Sequence, residues 1–451
     1  MNTVDTIAAV ATAPGGAINI VRISGEQALS IARNVWRGRQ QLNKTNARKM
    51  LYGLIGDPGE PALAVYMPNP HSYTGEDIVE LHCHGGAVAV RRTLDAVLKQ
   101  KGIRAAEPGE FTMRAFVNGK LDLAQAEAVG DLINASSDAS FNLAVRQLNG
   151  ALSQTVNRIR EQLLHLASDC ESRLDFPDEV LDFGPAEALL IQLNEAQSQL
   201  QKLIDSAHTG AVLREGVRIT LCGKPNAGKS SLLNALLGID RAIVSDIPGT
   251  TRDTLAEQAV LRNITVEITD TAGLRDSDDK IEALGVERAK AAMRQAQVVF
   301  YLLDAASDSP ERELADFYCN CPQASRVIVI WNKLDLAGEK VLPMPENVDC
   351  VAISARTGKN LDQLLDAFEK AVWQDSSGDA DAVLAVSARH LALLQSAAGM
   401  LSDVPAELLA GNWELAAVNL RAALNHTGKI IGETVEPDLL DEIFSRFCIG
   451  K

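Results

Sequence analysis

The sequence predicts a multidomain chain, α/β plus all-α: an N-terminal α/β domain, then a helical domain interrupted by a second, inserted α/β domain. Three observations carry this. Between residues 217 and 354, continuous Val/Ile/Leu runs alternate with helical patterns, as strands buried on both faces do. Helix-periodic sequence lies on both sides of that block. In the first 118 residues, strand patterns come as often as helical ones.

Residues 1–118 hold the strand candidates AINIVRISG, PALAVYMP and DIVELHC, a short helix in QALSIARNVW, and a helix with a basic face in AVAVRRTLDAVLKQK. His82 and His84 flank Cys83, so period two places both imidazoles on one strand face; no third ligand stands nearby, and ordinary packing and hydrogen bonding are expected there. Residues 119–215 turn helical. Leu148, Leu152, Val156, Ile159, Leu163 and Leu166 recur at spacings of three and four, one apolar stripe on a long core helix. A second helix is expected from about Pro185 to Ala207.

Residues 216–373 form the inserted domain, with strands expected at 217–222, 265–270, 298–304, 326–331 and 350–354. The polar, acidic QDSSGDADA at 374–382 reads as a linker. Residues 374–451 return to helix and end in DEIFSRFCIGK. Domain termini often lie close together and tolerate insertion, so one helical domain carrying an inserted α/β domain is the economical reading.

The chemistry starts at GKPNAGKS, Gly223 to Ser230, between an apolar run and a Leu-rich one. This is G-x-x-x-x-G-K-[ST] at a strand-to-helix turn, whose successive N–H groups and helix N-terminus face a phosphate. Lys229 can reach the terminal phosphates and the Ser230 hydroxyl can join a Mg²⁺ shell. Downstream, Asp270-Thr271-Ala272-Gly273 ends an apolar run; the Asp can hold Mg²⁺ through water, and the Gly N–H can approach a γ-phosphate. Asn332-Lys333-Leu334-Asp335 selects the base. The Asp335 carboxylate accepts two N–H bonds from guanine's Watson–Crick edge, the Lys333 stem lies on the ring, and Ser354-Ala355 offers a backbone N–H to the guanine carbonyl. Four ordered elements together point to GTP.

Composition sets the surroundings. With 451 residues, 46% hydrophobic and 23% charged, the chain has material for about three packed domains. Seven cysteines without a framework spacing fit a reducing compartment. No basic n-region precedes Arg22 and no run of about eighteen apolar residues exists, so a soluble, cytoplasmic protein without a membrane span is expected. The net charge of −16 argues against a free-standing basic nucleic-acid binder. Residues 1–120 carry 14 Lys+Arg against 10 Asp+Glu, a net of +4 that leaves −20 for the rest. Any nucleic acid is therefore expected to meet the N-terminal part or a basic partner.

The carboxyl end FCIGK, the stretch EPGEFTMRAFVNGKLDLAQAEAV from Glu107 to Val129, and GKPNAGKSSLLN with DIPGTTRD together resemble the tRNA-modification GTPases of the MnmE (TrmE) family, over essentially the whole chain. The resemblance implies a tetrahydrofolate-binding N-terminal domain that forms a homodimer, a helical domain, and an inserted Ras-like P-loop GTPase domain that binds K⁺. It also implies a flavoprotein partner of MnmG type carrying FAD, in a heterotetramer-type complex that adds an aminomethyl-type group, of the carboxymethylaminomethyl class, at C5 of the wobble uridine of certain tRNAs. The one-carbon source would be a 5-formyl or methylene tetrahydrofolate. The implied nucleotide set is Asn226, Ala227, Gly228, Lys229, Ser230 and Ser231; Ser245, Asp246, Ile247, Pro248, Gly249, Thr250 and Thr251; Asp270 to Gly273; Asn332, Lys333 and Asp335; and Ser354, Ala355 and Arg356.

Leu274 stands where Ras-like enzymes place a water-orienting glutamine, and leucine cannot polarise water. The resemblance assigns that work to Glu282, acting through a bridging water. A monovalent cation would supply charge between the β- and γ-phosphates, with Arg252 and Arg275 the nearby basic residues. By resemblance this is K⁺ at Asn226, Ser245, Ile247 and Thr250, while Thr251 joins Ser230 on Mg²⁺. The family commonly has threonine at Ser245; the hydroxyl remains. Also by resemblance, Arg22, Glu80, Lys120 and Lys451 contact the folate, and the charges suit an anionic glutamyl tail and a pterin N–H edge. Cys448 is a thiol whose reactivity depends on exposure. Two other classes share some of these features: a ribosome-assembly GTPase, which should carry a basic RNA-binding module, and a folate-dependent one-carbon transferase with a regulatory G domain, which should work without the flavoprotein.

Overall fold

The computed structural model describes residues 5–13, 15–175, 184–239, 256–270, 293–320, 326–338, 340–373 and 384–451. They cluster into two compact units. One gathers residues up to 133, 147–200 and 392–451; the other gathers 134–146 and 201–391.

In chain order the first unit begins with β1 (Thr6–Val10), β2 (Ile18–Ser24), α1 (Ala28–Val35), β3 (Trp36–Gly38), β4 (Leu51–Ile55), β5 (Glu60–Met67), β6 (Ile78–His84), α2 (Ala87–Leu98) and β7 (Ile103–Ala105). The strands form one seven-stranded sheet in the order β3-β4-β5-β6-β2-β1-β7. Alternation decides its faces. Val79 and Leu81 of β6 join Tyr66, Ile31 and Val97 in a core under α1 and α2, so Glu80 and His82 point to the other face. In the β2–β6 ladder Arg22 is opposite Glu80 and Ile20 opposite His82.

After α3 (Glu110–Val117), α4 (Leu123–Asn134) and α5 (Asp138–Leu148) comes α6 (Ala151–Asp175). The expected stripe is corrected at one end. Gly150, at φ +87°, separates Leu148 from α6, because only glycine takes that left-handed backbone freely. The remaining five positions, Leu152 through Leu166, are fully buried. The following helix α7 (Ala186–Glu215) outruns its expected end at Ala207. Its Gly210 lies where a Cβ would stand 2.8 Å from the Leu384 carbonyl oxygen, so a close crossing rather than a helix stop explains that glycine.

The second unit is built on β8 (Val217–Gly223), α8 (Lys229–Leu237), β9 (Ala256–Leu261), β10 (Ile264–Asp270), β11 (Val298–Asp304), α9 (Pro310–Asn320), β12 (Arg326–Asn332), β13 (Asp349–Ala352) and α10 (Leu361–Trp373). Its sheet order is β13-β12-β11-β8-β10-β9, parallel except for β9. Along β11, Val298, Phe300 and Leu302 enter one core with α8 and α10, while Val299, Tyr301 and Leu303 enter another with Phe317 of α9. Burial on both faces is why this strand reads as an unbroken apolar run. β9, absent from the sequence reading, is an edge strand joined to β10 through Arg262 and Asn263, both at positive φ, a two-residue hairpin without the usual glycine.

The chain then adds α11 (Ala388–Leu401), α12 (Val404–Ala410), α13 (Trp413–Ile431) and α14 (Pro437–Ser445). α13 runs along α6, burying Ala416, Leu420, Ala423 and Ile430. Alanines at the contact let the two axes approach closely. The last residues return to the first sheet: a Cβ on Gly450, at φ +97°, would lie 2.1 Å from the Val10 carbonyl oxygen. No helix among the described residues is long and apolar enough to cross a membrane.

Candidate nucleotide site and its family

The nucleotide motif forms where β8 ends in the middle of its sheet and α8 begins. Gly223 (φ +130°) and Gly228 (φ +97°) fold the loop back. A Cβ on Gly228 would stand 2.2 Å from Asn332 Nδ2, and one on Gly223 would stand 2.3 Å from the Leu302 carbonyl oxygen. Only glycine fits either place. Asn226, exposed at φ +66°, completes the turn; Ala227 is buried, and Ser231 is exposed on the first turn of α8. The Lys229 ammonium donates to the Gly223 and Lys224 carbonyl oxygens at 2.8 Å each, curling over the loop that would cradle a phosphate. Ser230 Oγ donates to Asp270 Oδ2 at 3.3 Å. The parallel β8–β10 pairing thus sets a hydroxyl beside a carboxylate, an oxygen pair that fits Mg²⁺.

Asn332 ties this loop to the base side. It is 2% exposed, its Nδ2 donates to the Ala227 carbonyl at 2.9 Å, and its Oδ1 accepts from the Ala355 N–H at 3.0 Å. Lys333, at φ +68°, turns its ammonium to Asp304 Oδ2 at 2.6 Å. Asp335 is exposed, and its Oδ1 accepts from the fully buried Ser354 hydroxyl at 2.7 Å. The expectation of an available N–H at Ser354-Ala355 needs correction. The Ser354 N–H donates to the Lys359 carbonyl at 3.1 Å and that of Ala355 to Asn332, so both hold the loop together. Arg356 is exposed beside them. Asp304, missed in the sequence, sits at the end of the YLLD run, where a strand-end carboxylate could have flagged it.

Ser245, Asp246, Ile247, Pro248, Gly249, Thr250, Thr251, Thr271, Ala272, Gly273 and Glu282 lie outside the described residues, as do Arg252, Leu274 and Arg275.

In the first unit, Arg22 Nε donates to Glu80 Oε1 at 2.9 Å, and Arg22 Nη1 to the Gly450 carbonyl at 3.4 Å. Its guanidinium lies 5.5 Å from the Tyr73 ring centroid and 5.6 Å from that of Phe111. Burial pushes the Glu80 carboxyl up, but His82 and Arg22 outweigh it and hold the group below its ordinary value. Burial, with the Arg22 charge, pushes the Lys451 ammonium down. Arg22, Glu80 and Lys451 therefore share one neighbourhood. Lys120 stands apart from that contact set, donating to the Pro70 carbonyl at 3.2 Å on the loop that carries Tyr73. A half-buried Arg–carboxylate pair beside two aromatic rings and a second cation fits a flat, anionic folate. His84 Nδ1 lies 2.7 Å from Glu60 Oε1 and His82 Nε2 lies 3.5 Å from Glu80 Oε2. Cys448 is exposed.

A family model described as the MnmE helical domain matches residues 123–448, and one described as the GTP-binding protein TrmE N-terminus matches residues 6–120. The tRNA modification GTPase MnmE of Symbiobacterium thermophilum is 44% identical over 461 residues, covering 99% of each chain. This chain belongs to the MnmE family. Proteins of the same name from Synechococcus sp. and Clostridioides difficile are 42% and 39% identical, covering 99% of this chain and 98% and 99% of their own. As an MnmE-family member with this P-loop and base-side geometry, the chain is a GTP hydrolase. The two matched family segments meet at 120–123, between α3 and α4.

Proposed function

We propose that this chain is a K⁺-dependent GTP hydrolase acting in tRNA modification. With an MnmG-like flavoprotein that carries FAD, it installs an aminomethyl-type group, of the carboxymethylaminomethyl class, at C5 of the wobble uridine of certain tRNAs, from a folate one-carbon unit. The observation that carries the nucleotide half is Asn332 binding the P-loop and the Ser354-Ala355 loop at once, since it couples phosphate and base recognition. Asp335, aimed by the Ser354 hydroxyl, accepts from guanine. Ser230, with Thr251 and the water-linked Asp270, would hold Mg²⁺, and Asn226 with Ser245, Ile247 and Thr250 would hold K⁺. The cations would neutralise charge developing on the phosphates. Glu282 would orient the attacking water. Arg22, Glu80 and Lys451, with Lys120 at the rim, would hold the tetrahydrofolate derivative.

In this reading residues 1–118 bind folate and form the homodimer, 119–215 and 374–451 form the helical domain, and 216–373 form the inserted G domain. The test has two arms. GTPase rates in KCl should exceed those in NaCl at equal ionic strength, and Glu282→Ala should lower kcat by about 10² or more with GTP affinity retained. Mass spectrometry of wobble nucleosides should show the modification lost when the gene is deleted. Equal rates in the two salts reject the K⁺ site; unchanged nucleosides reject the tRNA assignment.

A further inference from the structure

The carboxylate that ends β11 has two separate attachments. Asp304 is opposite Asn332 in the β11–β12 ladder, so it stands beside the strand that leads directly into Lys333. Its Oδ1 accepts the Ala306 N–H at 2.9 Å and its backbone carbonyl accepts the Ser307 N–H at 3.2 Å, which fixes the side chain as an Asx turn does. The other oxygen, Oδ2, is left for the Lys333 ammonium at 2.6 Å. Both side chains are half-buried, so solvent and salt screen this pair less than one on open surface.

Lys333 has a second carboxylate within reach. The Leu336 N–H donates to the Lys333 carbonyl at 2.9 Å, so residues 333–336 form a tight turn with Asp335 at its third position. Two positions apart, the Cα atoms lie at most about 7 Å from each other, a gap that a four-carbon stem spans. Lys333 nevertheless pairs with Asp304, and Asp335 accepts from an uncharged donor, the Ser354 hydroxyl, at 2.7 Å. That hydroxyl has one proton to give, and its oxygen accepts the Thr357 N–H at 3.2 Å, so the proton stays on Asp335.

We propose that Asp304 is a positioning residue that sets base specificity: by holding the Lys333 ammonium it keeps that cation off Asp335, whose carboxylate then stays open to the two N–H groups of guanine. The inference rests on the reading of Lys333 and Asp335 as the base-side residues. An ammonium paired with Asp335 would take, through charge-assisted hydrogen bonds, the acceptors that N1–H and the 2-amino group of guanine need. Pinning the lysine at its far end also leaves less side-chain freedom to lose when a base arrives under the stem.

The test uses the full chain and Asp304→Asn. This variant keeps a carbonyl oxygen for the Ala306 N–H but replaces the other oxygen with an amide NH₂, which cannot accept from Lys333. Dissociation constants are measured for GTP and for ITP, which lacks the 2-amino group. Asp304→Asn should weaken GTP at least about fivefold and ITP less, so that the preference for GTP over ITP narrows at least about threefold. In a Lys333→Met background, which keeps an unbranched stem without the charge, the same change should alter neither constant by more than about twofold, because no ammonium remains to restrain. A role confined to the turn at Ala306 requires the opposite, equal losses for GTP and ITP that persist with Lys333→Met. That result overturns the proposal, as does a GTP constant within about twofold of the parent. Asp335→Asn separates two kinds of failure. If it leaves the preference for GTP over ITP intact, the base-side reading falls and the proposal falls with it; if it removes that preference while Asp304→Asn leaves it intact, the proposal alone falls.

Discussion

Replacing Asn332 by alanine should do more to GTP binding than removing any base contact, because this side chain joins two loops. The substitution deletes the hydrogen bonds to the Ala227 carbonyl and from the Ala355 N–H, at 2.9 and 3.0 Å. Two neutral hydrogen bonds contribute about 1 kcal/mol each, and stranding the buried partners adds a desolvation cost, for a total of about 2 to 4 kcal/mol. Asn332 is 2% exposed, so solvent does not easily replace what is lost. If the bonds serve to hold both loops in their binding shape, that energy appears in nucleotide affinity as a rise in Kd of about 30- to 1000-fold. Fluorescent-nucleotide titration measures this, with thermal melting in parallel to read the stability share. A variant whose Kd stays within about threefold of the parent, whatever its melting temperature, refutes the coupling argument.

Asp335→Asn replaces a double acceptor with an amide that presents a donor and mismatches the Ser354 hydroxyl; GTP affinity should fall and discrimination against other bases relax, read by titration with GTP, ITP and XTP. Gly450→Ala should be costly, because φ is +97° and the new Cβ would meet the Val10 carbonyl at 2.1 Å. The carboxyl terminus should leave its seat and Arg22 should lose the Gly450 carbonyl, so 5-formyltetrahydrofolate binding should weaken by about tenfold or more while the GTPase kcat holds. Unchanged folate affinity would separate the terminus from that site. Acid should destabilise the first unit through Glu110. Burial pushes this carboxyl up, but Arg104, the Glu107 N–H and Arg114 outweigh it and hold the folded value below 4.5. A depressed carboxylate contributes stability above its unfolded value and loses it as pH falls through the folded one. Melting temperature should therefore drop steeply only below about pH 4.5, and Arg104→Gln should lower the plateau and flatten the drop.

The sequence by itself determined the elements whose signal is local. The P-loop needed glycines at 223 and 228, and the strand-to-helix context was visible in the apolar runs around them. Strands β8, β11 and β12 were legible because burial on both faces over most of their length writes a near-continuous apolar run, and β10 because its buried residues alternate with half-buried ones. Helix stripes such as Leu152 to Leu166 were legible through their period. What tertiary structure decided was where local signal is weak or where distance in sequence hides proximity. β9 is an edge strand with a mixed AEQAVL pattern, and only pairing with β10 makes it a strand. Gly150 and Gly210 look alike in sequence; one breaks a helix by its backbone angle, the other admits a neighbouring backbone. The Arg114 network with Asp5, Glu76 and Glu110 joins residues up to 109 positions apart, and a fully buried arginine is stable only because those carboxylates converge on it. The same holds for Gly450 beside Arg22: 428 positions separate them, and the C-terminal return that seats Gly450 against Val10 is what brings them together.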